Sequence, residues 1–123
     1  MKNLDQIRAA NAIVYSNTPF PGADGGEVVK KVPTLIRENG ILAALAFALE
    51  KKSGGDAKNP GHYKVFECIV SHLKHKGVNK IPANIAGPKE FADYLIAADA
   101  AALRDATEEA MAYMNYLRRF AKK

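Results

Sequence analysis

The chain has 123 residues, 48% of them hydrophobic, with no tryptophan, one cysteine and a formal net charge of +5 at pH 7. That length suits one domain with a core of its own, and a single cysteine excludes an intramolecular disulfide and fits a reducing compartment. No stretch holds the roughly 18 apolar residues that a membrane span needs, and MKNLDQIRAAN is too polar for a secretion signal, so a soluble, cytoplasmic protein is expected.

In chain order, six helical segments and no strand are expected. The fold class is therefore all-α, a compact bundle of about six helices in a single domain over residues 1–123, with loops near 17–26, 53–61 and 77–88. The first helix covers residues 4–16, with Ile7, Ala10, Ile13 and Val14 on the face meant for the core and Asp5, Arg8 and Ala12 opposite. NTPFPGADGG is a breaker-rich loop. The second helix starts near Glu27 and repeats Val28, Val29, Val32, Leu35 and Ile36 at the helical period, which turns Lys30, Thr34 and Arg37 outward. Pro33 should kink or restart this helix, at a cost of about 3 kcal/mol if it lies fully inside. Asn39-Gly40 ends it. Residues 41–52 are then apolar nearly all round, the mark of a helix enclosed by its neighbours.

Asn59-Pro60 reads as an N-cap and first-turn proline before a fourth helix over 62–76, which stacks Val65, Phe66, Ile69, Val70 and Leu73. GVNKIPANIAG reads as a long, mobile connection. Gly87-Pro88 opens a fifth helix anchored by Phe91, Leu95 and Ile96. Asp99 caps the last, 100–121, whose apolar stripe is Leu103, Ala106, Ala110, Met114, Leu117 and Ala121. Arg118, Arg119, Lys122 and Lys123 suit the negative end of its dipole.

Charge is unevenly spread along these elements. Residues 27–80 carry a basic excess, 118–123 hold four cations and no acid, and 81–117 set six acids against two bases. Such a split suggests one surface that faces an anion and another that docks a basic neighbour.

Catalysis finds no support in the side chains. Cys68, His72 and His75 fall within about 60° of one helical face, but no CxxC accompanies them and His62 is the only other histidine. Incidental histidines on a polar face explain them better than a metal. Glu108 and Glu109 point about 100° apart and form no acid–base pair. GADGG lacks the lysine and the preceding strand of a phosphate loop. The chain is not expected to be an enzyme, and no cofactor and no metal are expected.

Phosphate contact is better founded. Lys30, Lys31 and Arg37 share the solvent side of the second helix, with Arg8 on the first and Lys64, Lys74 and Lys76 on the fourth. No aromatic is expected among these cations on an exposed face, so base stacking is not. A helix-turn-helix is excluded because ILAALAFAL offers no polar side chain to a groove.

Three blocks in order also resemble a known family. LDQIRAANA, KKVPTLIRENGILAALAF and TEEAMAYMNYLRRFAKK resemble the small helical subunit of type III-B (Cmr) CRISPR effector complexes. Lys31, Pro33, Leu35, Ile36, Asn39, Gly40, Ala46 and Phe47 carry the middle block. Glu109, Ala110, Leu117, Arg119, Phe120 and Ala121 carry the last. The likeness covers roughly 4–52 and 94–121. It departs at Ile41, where leucine is usual, and at His72-Leu73, where the family often has Trp-Leu; residues 77–88 match no family pattern. The resemblance implies a non-catalytic subunit whose copies stack head to tail into a filament beside the other subunits of the complex. That filament lines the groove for guide RNA and target RNA. The phosphate contacts would then fall to Arg8, Lys30, Lys31, Arg37, Arg118 and Arg119. The competing reading is a helical adaptor that docks acidic proteins and meets no RNA.

Overall fold

The computed structural model describes residues 2–121; Lys122 and Lys123, counted above among the C-terminal cations, lie outside the described residues. Six helices form among the described residues: α1 (Leu4–Ile13), α2 (Val28–Asn39), α3 (Ile41–Leu49), α4 (Pro60–Leu73), α5 (Pro88–Ala97) and α6 (Ala100–Phe120). One 3-10 turn, Gly25–Glu27, leads into α2. No strand accompanies them there, only an isolated antiparallel bridge between Lys51 and Ala57. The all-helical, single-domain fold matches expectation.

Local chemistry explains where the helices begin and end. Asn3 caps α1 in a reciprocal box: the Gln6 N–H donates to the Asn3 side chain and the Asn3 N–H donates to the Gln6 side chain. Asp99 accepts from the Ala102 N–H at 2.8 Å, while Pro60 and Pro88 open α4 and α5. Gly40, at φ 86° and ψ 159°, takes a backbone region essentially confined to glycine. It closes α2 and opens α3 in one residue. Pro33 does not restart α2, which runs unbroken from Val28 to Asn39 with the proline ring buried.

The core draws on all six helices, α1 through Ala12 alone. Val29 and Val32 of α2, Leu45 of α3, Phe66, Ile69 and Leu73 of α4, Phe91 and Leu95 of α5, and Tyr113, Met114 and Leu117 of α6 are fully buried. α4 ends three residues short of expectation, at Leu73, so His75 leaves the helical wheel that grouped it with Cys68 and His72. The connection after α4 is packed. Val78, Ile81 and Ile85 are buried, Lys74 donates to the Ile85 carbonyl, and Lys80 pairs with Asp105 of α6.

Ile96, expected to anchor α5, is 70% exposed because it follows Leu95 by about 100° around the helix and so turns off the buried face. Two further faces differ from expectation. In α1 the buried face is turned: Asp5 is exposed and Ile7 half-buried, in line with expectation, but Ala12 is buried and Arg8 half-buried, whereas Ile13 and Val14 are 50% and 68% exposed. The reason lies in α6. Glu109, 4% exposed, accepts from Arg8 Nε and Nη2 at 2.8 Å each and from His72 Nε2 at 2.9 Å. Asn11 meets His72 Nδ1 at 2.9 Å, and Tyr113 donates its hydroxyl to the Asn11 carbonyl and stacks its ring on His72 at 4.2 Å. A charge can face inward when its partner waits there with hydrogen bonds. Because Arg8 pairs with Glu109 and Asn11 with Tyr113, residue numbers rise together and α1 lies parallel to α6.

The second departure is α3. Ile41, Ala44, Leu45 and Ala48 are buried, but Leu42 and Phe47 are each 37% exposed and Ala43 and Ala46 face solvent. Its all-round apolar sequence predicts enclosure, yet α2, α4 and α5 together leave one side open.

Candidate nucleic-acid interface

The exposed side of α3 meets the exposed side of α2 across a groove of about 410 Å³. Glu27, Lys30, Lys31, Thr34, Leu35 and Glu38 form one wall. Their spacing of three and four residues puts them on one helical face. The opposite wall is Phe47 at the last turn of α3 and His62 in the first turn of α4. The Phe47 and His62 rings meet edge to face, centroids 4.9 Å apart and planes at 73°. Asn59, just before α4, donates its side-chain N–H to the Phe47 carbonyl at 2.8 Å and so ties the two short segments together.

Electrostatically the groove is mixed. Lys30 Nζ lies 3.7 Å from Glu27, with half its side chain exposed. Lys31 Nζ donates to Asp24 at 2.8 Å and holds that carboxyl below its usual range. Burial pushes the His62 imidazole down, partly opposed by Asp24, so the ring is neutral at physiological pH. Arg37 is exposed and lies about 20° from Lys30 around the helix at 100° per residue, at the outer edge of the same wall.

The sequence-predicted phosphate contacts are thus only partly gathered. Lys30 and Lys31 line one groove and Arg37 flanks it. Arg118 (half-buried) and Arg119 (exposed) sit in the last turn of α6, outside the groove lining. Arg8 is committed elsewhere: it donates to Glu109 and, through Nη1, to Asp5 at 2.8 Å, and the Glu109 bond raises its pKa well above the ordinary arginine value. Lys64 is directed over the Tyr15 ring, 5.8 Å from its centre.

Cys68 and His72 are buried, while His75 is exposed and accepts from the Gly77 N–H. Among the described residues no group of three or more His, Cys, Asp or Glu side chains is placed to hold a metal. Burial pushes the Cys68 thiol up to about 11, an unreactive setting for a nucleophile. Phe47 and His62 are the groove residues that sequence reasoning misses. The available signal is α3 itself, whose nine residues are all apolar and outnumber the positions that face its neighbours α2, α4 and α5.

A family model described as CRISPR-associated protein (Cas_Cmr5) matches residues 24–123. The chain belongs to the Cmr5 family. It is accordingly a small subunit of a type III-B Cmr CRISPR complex, from a family that generally serves as a non-catalytic structural component. The match holds α2 through α6 and the whole groove; the α1 block quoted above lies before it. Comparison with curated proteins and with solved structures gave no match. No helix among the described residues is long and apolar enough to cross a membrane.

Proposed function

We propose that this Cmr5-family subunit stacks head to tail with copies of itself along the guide–target RNA groove of the cytoplasmic Cmr complex. There it grips phosphates through Lys30, Lys31 and Arg37, with Arg118 and Arg119 as further contacts at the end of α6. The observation that carries this reading is the row of exposed cations along one face of α2, a helix held on its other side by Val28, Val29, Val32 and Ile36. A rigid row of cations follows a phosphate backbone without reading bases. The five exposed acids of 81–117 (Glu90, Asp93, Asp99, Asp105 and Glu108) would supply an opposite surface for the next copy. Arg8 is left out of the phosphate contacts because its donors are engaged by Glu109 and Asp5.

The test is the double charge reversal Lys30→Glu/Arg37→Glu in a reconstituted complex. Affinity for the guide–target duplex should fall and the salt slope should shrink by about one per lost phosphate contact, with the helical circular dichroism unchanged. Equal affinity and slope would remove these residues from the interface. The adaptor reading draws on one observation: Lys30 and Lys31 already face the carboxylates of Glu27 and Asp24, so the surface accepts acidic groups. RNA crosslinking in cells separates the two, since an adaptor yields no RNA adduct.

A further inference from the structure

A surface built only to hold phosphates would be uniformly positive, and this groove is not. Its lining sets two lysines against two glutamates, with Phe47 and a neutral His62 between them. Phe47, 37% exposed, is held by the edge-to-face contact of its ring with His62 and by the Asn59 bond to its carbonyl. Apolar ring, balanced charges and a volume of about 410 Å³ describe a seat for a small flat group, within the roughly 300–1,000 Å³ usual for ligand sites. The excess cation, Arg37, stands at the rim.

We propose that the groove seats one unpaired RNA base, stacked on Phe47, while the phosphates flanking it rest on Lys30 and Arg37. This rests on the phosphate-contact reading above, keeps Lys30 and Arg37 on the phosphates, and turns Lys31 from a phosphate to the base. Aromatic rings stack any base because every base has a flat π-face, and a base inside an A-form duplex has no free face to offer. The occupant is therefore single-stranded or flipped out. Around the base edge the groove offers both polarities. Glu38 accepts from exocyclic amino groups, Lys31 donates to carbonyl oxygens, and Thr34, whose hydroxyl donates to the Lys30 carbonyl, keeps lone pairs free to accept. These groups tolerate several bases and select strongly for none.

The test uses the full chain in its reconstituted complex and a single-stranded RNA carrying 5-iodouracil, with a matched RNA abasic at the same position. The photo-adduct should map to Phe47 or His62. Phe47→Leu, which keeps apolar bulk but removes the ring, should weaken single-stranded RNA binding about five- to tenfold, the low end for one stacked base. The abasic RNA should lose the same factor and be indifferent to the substitution. Phe47→Met gives the same readout if the leucine variant folds poorly. Undiminished binding by Phe47→Leu alongside a loss in Lys30→Glu/Arg37→Glu would overturn the base seat and leave the phosphate grip standing. Undiminished binding by both would overturn both. Displacement by a polyglutamate peptide, sensitive to Phe47→Leu but with no difference between normal and abasic RNA, would assign the groove to a protein partner and overturn the proposal.

Discussion

Two parts of this molecule use the same side-chain types in opposite ways. At the α1–α6 seam a buried glutamate and a buried histidine meet a half-buried arginine, and every buried donor and acceptor among the described side chains is satisfied. At the α2–α3 groove two lysines, two glutamates and a histidine lie open. In the seam, burial drives His72 below its ordinary pKa against the pull of Glu109. Burial would raise Glu109, but Arg8 and then His72 outweigh it and hold the carboxylate charged. In the groove, water screens each ion pair, and the lysines remain available to another anion. Paired charges fix a fold where water is excluded and stay exchangeable where it is not.

The comparison breaks most visibly at Glu109. Glu109→Gln leaves Arg8 facing a neutral amide in a half-buried site, and urea unfolding should show a loss of about 3 kcal/mol. A loss under about 1 kcal/mol would mean that water reaches the seam, which would then be no different from the groove. Gly40→Ala tests the corner that sets the two walls of the groove. At φ 86° an added Cβ is strained even though it meets no atom within 4 Å, so a cost of about 1–3 kcal/mol is expected, together with weaker RNA binding. Full stability in that variant would show that the corner adapts.

Acidification sharpens the contrast. The His72 pKa is depressed below 6.5 in the folded state, so the unfolded chain takes up the proton first. The associated stability is complete above about pH 6.5 and is lost as pH falls toward the folded-state pKa. Glu109, depressed below 4.5, extends the loss in the same direction at lower pH. The urea midpoint should drop between about pH 7.5 and about pH 5.5, and should still drop in His62→Gln if the seam dominates. A flat profile contradicts a sealed, neutral His72. The smallest effect belongs to Asp24→Asn, which removes an open pair with Lys31; its unfolding midpoint should match the parent while RNA binding is kept or strengthened, and a large destabilisation would show that this pair is structural.

The sequence made the helices legible, and two of their faces less so. α5 begins where Gly87-Pro88 places it, with Phe91 and Leu95 as its buried anchors but not Ile96, and the α6 stripe from Ala106 to Ala121 is buried as its period predicts. These are local signals. The α1 face could not be read this way, because arginine counts as outward unless a partner is known, and Glu109 lies 101 residues away. Phe47 failed for the converse reason: an apolar run says what can be buried, and only the number of neighbours decides how much is. Lys30, Lys31 and Arg37 were legible as outward cations from the α2 period. Their aromatic companion across the groove comes from other helices and leaves no trace in that spacing.

The parallel pairing of α1 with α6 also bears on how the chain is made. Arg8 leaves the ribosome 101 residues ahead of the carboxylate that receives it, a wait of about 5–20 s at roughly 5–20 residues per second. Until α6 is synthesised, α1 has neither the Glu109 carboxylate nor the Tyr113 hydroxyl, and of its tertiary hydrogen bonds only the one between Asn11 and His72 of α4 can form. Helices α2 to α5 can gather first, leaving α1 to dock last along the seam, so the first helix made is the one that seals the fold.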